Sequence, residues 1–191
     1  MSSRAVFYYD FNSPFTYLAA ERIDGLIPDA KWRPFAFPYL LYELGRLEEA
    51  LGRDPAIALR DAGPRAAERG LPPLASPPDW PNRTWSLRPL RVAVFAGAEG
   101  LLREFSLAAL RKVFVEGLPL TDDRNLRDAA LAAGLDADAA IGAAERADVK
   151  QRLKEHGEEV LALGVAGIPT VAVGGELFWG DDRLEEAAAR R

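Results

Sequence analysis

The chain has 191 residues, of which 49% are hydrophobic and 28% are charged. This length suits one domain, or one domain that carries a large insertion. The sequence contains no cysteine and one histidine, which excludes a disulfide framework, a cysteine nucleophile and any site that needs two imidazoles. The net charge of −5, without a basic stripe, argues against nucleic acid as a partner.

No apolar run approaches the roughly 18 residues that a membrane span needs. The first residues, Met-Ser-Ser-Arg-Ala, lead directly into a strand-like segment and lack the apolar region of a secretion signal. We therefore expect a soluble, cytoplasmic protein that has no membrane partner.

The first forty residues predict a strand, a helix and a second strand. Residues 5–11 form a short apolar and aromatic run that fits a buried strand. Ser13 is a favourable N-cap and Pro14 suits the first helical position, so a helix should begin here and end near Gly25. Residues 31–37 predict a second strand, and their internal proline places it at an edge or a bulge of the sheet.

The middle of the chain, residues 39–154, predicts a largely helical region. The amphipathic pattern is clearest at 101–118, and Ala-rich helices are expected at 126–134 and 137–147. Residues 71–81 are rich in proline and have no periodicity, which indicates a loop.

The end of the chain returns to an alternation of helices and strands. A helix is predicted at 158–163, a strand at 170–173 and a second strand at 176–179. Gly174 and Gly175, between the two strands, predict a tight antiparallel hairpin. One more helix follows the second strand.

Ser13 has a structural and a functional interpretation. A Ser-Pro pair is a common helix N-cap, and this role alone is sufficient to explain it. Alternatively, the Ser13 hydroxyl lies beside the free N–H groups and the positive dipole end of a helix, where an anion is stabilised. If that anion is a thiolate brought by a ligand, such a site lowers the pKa of the thiol.

Ile168, Pro169 and Thr170 also admit two interpretations. A proline at the start of a strand can simply prevent pairing there, and only about 5–6% of X-Pro bonds in folded proteins are cis. With a cis bond, however, the N–H and C=O of Ile168 would face outward and pair with an extended, peptide-like ligand.

Two adjacent carboxylates precede the last helix. Asp181 or Asp182 is expected to be the N-cap of that helix, which leaves the other one for a ligand ammonium group. Trp179 belongs either to the core or to a pocket wall. The single histidine, His156, is expected to be a partly exposed surface residue without a catalytic role.

Three segments together resemble one family. They are FYYDFNSPFTYLA (7–19), KWRPF (31–35) and GVAGIPTVAVGGELFWGDDRL (164–184). These segments are similar to those of glutathione-dependent 2-hydroxychromene-2-carboxylate isomerases and kappa-class glutathione transferases, a branch of the DsbA-like thioredoxin superfamily. The resemblance implies an α/β, thioredoxin-like fold, split into residues 1–38 and 155–191, with a large α-helical insertion at 39–154.

The functional residues of that family carry over to matching positions of this chain. The resemblance implies that Ser13 hydrogen-bonds the sulfur of bound glutathione. It also implies that Ile168, which precedes the cis Pro169, pairs with the cysteinyl part of the ligand. Asp182 would bind the γ-glutamyl end, with Asp181 beside it.

Two departures from the family pattern concern glutathione binding. Residues 52–55, Gly-Arg-Asp-Pro, stand where the family usually has Gly-Asn-x-Pro, whose asparagine contacts the ligand. Asp181 stands where relatives often have a neutral residue. A second carboxylate there would repel the anionic tripeptide unless an arginine such as Arg183 offsets it.

The resemblance implies an enzyme in which a bound thiolate attacks an unsaturated or aromatic small-molecule substrate. We expect a homodimeric isomerase of the 2-hydroxychromene-2-carboxylate type, with glutathione or another low-molecular-weight thiol as cofactor and no metal. A kappa-like transferase and a ligand-binding protein without turnover are the alternatives, whereas a thiol-disulfide oxidoreductase would need a cysteine at 13 or 16. The substrate pocket is expected around Phe11, Asn82, Trp85 and Trp179.

Overall fold

A four-stranded mixed sheet lies at the centre of the computed structural model, which describes residues 4–81 and 84–191. The strands are β1 (Val6–Tyr9), β2 (Lys31–Pro34), β3 (Thr170–Val173) and β4 (Glu176–Trp179), in the order β2-β1-β3-β4. β1 runs parallel to β2 and antiparallel to β3, and β3 pairs antiparallel with β4. The two ends of the chain therefore meet in one sheet.

Helices pack around this sheet. They are α1 (Pro14–Leu26), α2 (Phe37–Glu43), α3 (Leu47–Leu51), α4 (Pro55–Glu68), α5 (Leu87–Ala98), α6 (Leu102–Phe114), α7 (Asp123–Ala132), α8 (Ala137–Ala143), α9 (Ala147–Ala162) and α10 (Leu184–Ala189). Helices α2 to α9 are inserted between β2 and β3, as the helical pattern of the middle of the sequence predicts. No helix within the described ranges is long and apolar enough to cross a bilayer.

The first β-α-β unit agrees with its prediction, although its strands are shorter. β1 does not reach the end of the predicted 5–11 because the chain enters a turn at Phe11. Ser13 is the N-cap of α1, and Pro14 is the first residue of that helix. β2 ends at Pro34, which has no N–H for a further ladder bond, and it lies at an edge of the sheet as expected.

The predicted helices of the insertion are present with different limits. The helix expected at 101–118 is α6, and the one expected at 126–134 is α7. Residues 137–147 are divided between two helices, since α8 ends at Ala143 and α9 begins at Ala147.

The C-terminal unit contains the predicted hairpin. β3 and β4 have the expected limits, and Gly174 and Gly175 both adopt positive φ, 60° and 82°, which a tight antiparallel turn needs. The helix predicted at 158–163 is only the last part of α9. That helix is longer because buried residues such as Leu153 and Val160 recur on one of its faces.

Aromatic side chains fill the core on one face of the sheet. Phe7, Tyr9 and Trp32 have ring centroids 5.0 to 5.5 Å apart. Tyr9 is fully buried, and its hydroxyl is hydrogen-bonded to Oγ of Ser106 at a distance of 2.5 Å. Since Tyr9 is the last residue of β1 and Ser106 belongs to α6, this bond attaches the insertion to the sheet.

His156 lies inside the protein, and the prediction of a partly exposed position is wrong. The residue is 7% exposed, and its Nδ1 is 2.8 Å from the carbonyl oxygen of Pro34. Because a carbonyl oxygen only accepts, Nδ1 carries the proton and donates it. Burial lowers the pKa of His156 to about 4, which outweighs the effect of this hydrogen bond in the opposite direction.

Acid should destabilise the protein partly through His156. The imidazole titrates near pH 6.5 in the unfolded chain and near pH 4 in the folded protein. The unfolded state therefore binds the proton first, and stability falls as the pH drops from about 6.5 towards 4. Between about pH 7 and pH 4.5, the free energy of unfolding of the parent should fall by about 2 kcal/mol more than that of His156→Gln, which has no imidazole to titrate. Urea denaturation at both pH values measures the two losses, and equal losses would contradict this account.

Candidate functional site

A cavity of about 450 Å³ opens between the start of α1 and helices α2 to α4. Three residues singled out from the sequence, Ser13, Ile168 and Trp179, line it together. They come from the two ends of the chain, whereas the remaining wall comes largely from the insertion. The volume lies within the roughly 300–1,000 Å³ of pockets that bind small molecules.

Ser13 occupies the N-cap position of α1 and borders the cavity. Its Oγ accepts a hydrogen bond from Thr16 N at 3.4 Å, so the structural interpretation of the Ser-Pro pair is confirmed. The hydroxyl hydrogen is not used in that bond and can donate to a ligand. Within 4–81 and 84–191, the N–H of Phe15 has no acceptor. A hydroxyl and an N–H thus lie at the positive end of a helix, an environment that favours an anion.

The Ile168–Pro169 peptide bond is cis, as the functional interpretation of this segment requires. The carbonyl oxygen of Pro169 accepts a hydrogen bond from Gly180 N at 2.9 Å, which connects the segment to the residue after β4. Ile168 lines the cavity, and neither its N–H nor its C=O is hydrogen-bonded to another described residue. Its backbone is therefore available to an extended ligand.

Neither Asp181 nor Asp182 is the N-cap of the last helix, and that prediction is wrong. Both residues belong to a 3₁₀ turn (Asp181–Arg183), and Arg183 occupies the cap position of α10 without a side-chain capping bond. Gly180 introduces this turn with a φ of 117°, and a Cβ on it would lie 2.4 Å from Oδ1 of Asp182. The entry into the turn therefore requires glycine.

Asp181 is fully buried and forms two ion pairs with the insertion. Its Oδ1 is 2.6 Å from Arg65 Nη1, and its Oδ2 is 2.5 Å from Arg69 Nη1. These two guanidinium groups, from α4 and its C-cap residue, offset the second carboxylate, whereas Arg183 pairs with Glu186. Because both oxygens of Asp181 are occupied and buried, this carboxylate is not open to a ligand ammonium group.

Asp182 is the accessible carboxylate of the pair. Its side chain is 58% exposed, and its Oδ2 is 3.8 Å from Arg65 Nη1. The guanidinium of Arg65 also lies over the ring of Phe15, 5.4 Å from the ring centroid, and Phe15 lines the cavity. Asp182 is thus located beside the cavity, next to one of its walls.

The residues expected to form the substrate pocket do not all meet at this cavity. Trp179 does, since it is 53% exposed and lies against Gly167, where a Cβ would be 2.3 Å from the indole ring. Phe11 is buried, and together with the exposed Trp85 it lines a separate cavity of about 10 Å³. Asn82 lies outside the described residues.

The insertion supplies cavity groups that the sequence did not single out. Phe37 and Trp80 provide apolar surface. Arg46 and Arg53 provide positive charge, and each of them is paired with Glu49. The sequence offered one indication of these residues: Arg53 lies in the segment 52–55, which departs from the Gly-Asn-x-Pro pattern of the family.

One fully buried carboxylate, that of Asp10, directly follows β1. Its Oδ1 accepts a hydrogen bond from Asn12 N at 3.2 Å, and its Oδ2 accepts one from Phe37 N at 2.8 Å. The nearby Ser86 hydroxyl also favours the ionised form of Asp10. Burial raises the pKa of Asp10 to about 6, although these hydrogen bonds favour the ionised form. Sequence reasoning missed this buried carboxylate, because a single Asp within an apolar run does not show which distant groups will contact it.

Comparison with known proteins agrees with the resemblance of the motifs. The family model described as a DSBA-like thioredoxin domain matches residues 4–190. A curated protein of Sphingobium xenophagum, named 2-hydroxychromene-2-carboxylate isomerase, is 28% identical over 192 residues. This alignment covers 97% of the present chain and 96% of the relative.

Solved structures have the same fold. A 2-hydroxychromene-2-carboxylate isomerase is similar with a TM-score of 0.81 at 23% identity, over 97% of this chain and 92% of the other. A probable DsbA oxidoreductase from Streptomyces coelicolor has a TM-score of 0.75 at 18% identity, over 99% of this chain and 89% of the other. The fold is therefore thioredoxin-like with a helical insertion, as expected. The chain belongs to the family of DSBA-like thioredoxin domains.

Proposed function

We propose that this protein is a glutathione-dependent isomerase of the 2-hydroxychromene-2-carboxylate isomerase type. The curated relative of that name aligns over nearly the whole of both chains, which supports an isomerase. The lack of cysteine argues against the thiol-disulfide exchange suggested by the names of other structural neighbours, because that reaction needs a thiol of the protein.

The observation that carries the proposal is the meeting of Ser13 and Ile168 at one cavity. The Ser13 hydroxyl at the helix N-terminus suits a thiolate. The backbone of Ile168 suits the peptide unit next to that thiolate. One cysteinyl residue of a bound ligand would satisfy both groups, and this combination favours a peptide-like thiol over a simple one.

Glutathione fits the polar groups around the cavity. Asp182 offers an accessible carboxylate to the ammonium group of the γ-glutamyl residue. Arg46 and Arg53 offer positive charge to the carboxylates of the tripeptide. Glu49 already pairs with both arginines, so the ligand would share them with this side chain.

Bound glutathione would supply the nucleophilic sulfur that the chain itself lacks. Ser13 donates its hydroxyl hydrogen to that sulfur, and together with the dipole of α1 it lowers the pKa of the thiol. Ile168 orients the cysteinyl backbone through its N–H and C=O. Phe37, Trp80 and Trp179 exclude water where the substrate binds, which strengthens the hydrogen bond from Ser13.

A homodimer in the cytoplasm remains our prediction for the assembly and location of the enzyme. The described surface exposes large apolar side chains, among them Tyr42, Leu131 and Trp85, that a second copy can cover.

The protein should isomerise 2-hydroxychromene-2-carboxylate in the presence of glutathione without consuming it. Absorbance spectroscopy follows the loss of the substrate, and a thiol assay follows the total glutathione. Consumption of one glutathione for each substrate molecule would show a transferase instead. Tight ligand binding without turnover would show a binding protein.

Ser13→Ala should raise the pKa of the bound glutathione thiol by about one to two units, because a hydrogen bond to a charged group contributes about 1.5–3 kcal/mol. Ultraviolet absorbance of the thiolate across a pH series measures this pKa, and calorimetry measures the affinity. Ser76→Ala, outside the cavity, is the matched control and should behave as the parent does. An unchanged thiol pKa in Ser13→Ala would remove Ser13 from its proposed role, and a parent that does not bind millimolar glutathione would refute the cofactor assignment.

Asp182→Asn should weaken glutathione binding about tenfold, since it removes the charge that faces the ligand ammonium group. N-acetylcysteine has no free ammonium group, so its affinity should not change. Glu186→Gln removes a nearby exposed carboxylate and serves as the control. Calorimetry with both thiols checks this selectivity, and an equal loss for the two ligands would contradict the role of Asp182.

A further inference from the structure

Asp10 joins three segments of the chain that meet near Ser13. Asn12 belongs to the turn between β1 and α1, Phe37 is the first residue of α2, and Ser86 immediately precedes α5. Asn12 and Phe37 donate backbone hydrogen bonds to the carboxylate, and the Ser86 hydroxyl favours its ionised form. Two of them, Asn12 and Phe37, also line the cavity.

Asn12 extends this connection to the loop before α5. Its Nδ2 donates to the carbonyl oxygen of Pro81 at 3.3 Å, and its Oδ1 accepts from Thr84 Oγ1 at 2.9 Å. Thr84 Oγ1 is also 3.1 Å from the same carbonyl oxygen of Pro81. Since Trp80 and Pro81 line the cavity, a continuous series of hydrogen bonds connects Asp10 to that wall.

The hydrogen-bond donors around Asp10 favour its ionised form. Its partners from the turn, from α2 and from the segment before α5 are neutral N–H and O–H donors, and no lysine or arginine of the described chain pairs with it. Tyr9, on its own strand, is uncharged, because burial raises the pKa of that phenol far above its usual value. Protonation would turn one carboxylate oxygen into a donor that faces another donor. The backbone N–H groups of Asn12 and Phe37 cannot accept in return, so the neutral acid bonds these segments less strongly than the carboxylate does.

We propose that Asp10 is a positioning residue whose ionised carboxylate fixes the cavity walls at Phe37 and at Trp80–Pro81, near Ser13, and that these walls loosen when it is protonated. This inference rests on the proposed function where it assigns Ser13 to a bound thiol. The position of the walls, in contrast, is a property of the ligand-free protein. Because the pKa of Asp10 is about 6, the change falls just below neutral pH.

Fluorine NMR of the ligand-free protein labelled with fluorotryptophan tests the inference. The resonance of Trp80 should shift between about pH 8 and pH 5, with a midpoint near pH 6. Trp179 contacts Gly167 and is not bonded to the Asp10 network, so its resonance is the internal control. In Asp10→Asn the Trp80 transition should be absent.

Two further variants make the test independent of whether Asp10→Asn folds. Ser86→Ala keeps the carboxylate but removes one donor, so the midpoint should rise by about one pH unit. Asp122→Asn removes the capping carboxylate of α7 and is the matched control, in which the Trp80 transition should be unchanged.

Calorimetry with S-methylglutathione connects the transition to the site, because this thioether has no thiol that titrates. Its affinity for the parent should fall about tenfold between about pH 7.5 and pH 5. Asp10→Asn should bind at the weaker value throughout this range. A parent Trp80 resonance that does not change with pH, or a transition retained in Asp10→Asn, would overturn the inference. If Trp80 titrates as expected but neither glutathione nor its thioether binds, the inference stands and the proposed function is wrong.

Discussion

The double ion pair of the buried Asp181 carboxylate is the contact on which the cavity depends. A carboxylate removed from water costs several kcal/mol unless charged donors compensate for the lost hydration. Arg65 on α4 and Arg69, the C-cap residue of that helix, donate to its two oxygens. One wall of the cavity belongs to the inserted helices and the other to the sheet, so this contact holds the two walls together. It also explains the adjacent aspartates, since Asp181 is structural and Asp182 remains accessible.

The site has two parts: groups whose positions the backbone determines, and side-chain walls that can differ from one relative to another. Ser13 and Ile168 are held by a helix start and by a cis proline segment, so their positions follow from the backbone. The apolar and charged walls come from α2 to α4 and from the loop before α5. A common way of holding a ligand can therefore coexist with different substrates.

Features that depend on neighbouring residues could be predicted from the sequence. The hairpin at Gly174 and Gly175 and the cap at Ser13 follow from turn and helix geometry, which only a few adjacent residues determine. Features that depend on distant partners could not. The carbonyl that binds His156 is 122 residues away, and Arg65 is 116 residues from Asp181. Nothing local distinguishes these side chains from a surface histidine or a helix cap.

The same distinction applies to the candidate site. Ser13, Ile168 and Trp179, which belong to motifs at opposite ends of the sequence, line one cavity because the pairing of β1 with β3 joins the two ends of the chain. Phe11 and Trp85 lie at another, smaller cavity, since an aromatic residue near a motif serves the core as readily as a pocket.

The contact between Trp179 and Gly167 limits how this cavity can be redesigned. The indole occupies the space where a side chain at position 167 would begin. Any larger residue at 167 therefore requires a smaller ring at 179, so the two positions have to be exchanged as a pair. A mutant library that changes only one of the two positions in each variant would miss the paired substitutions that reshape this wall and still let β4 pack against residue 167.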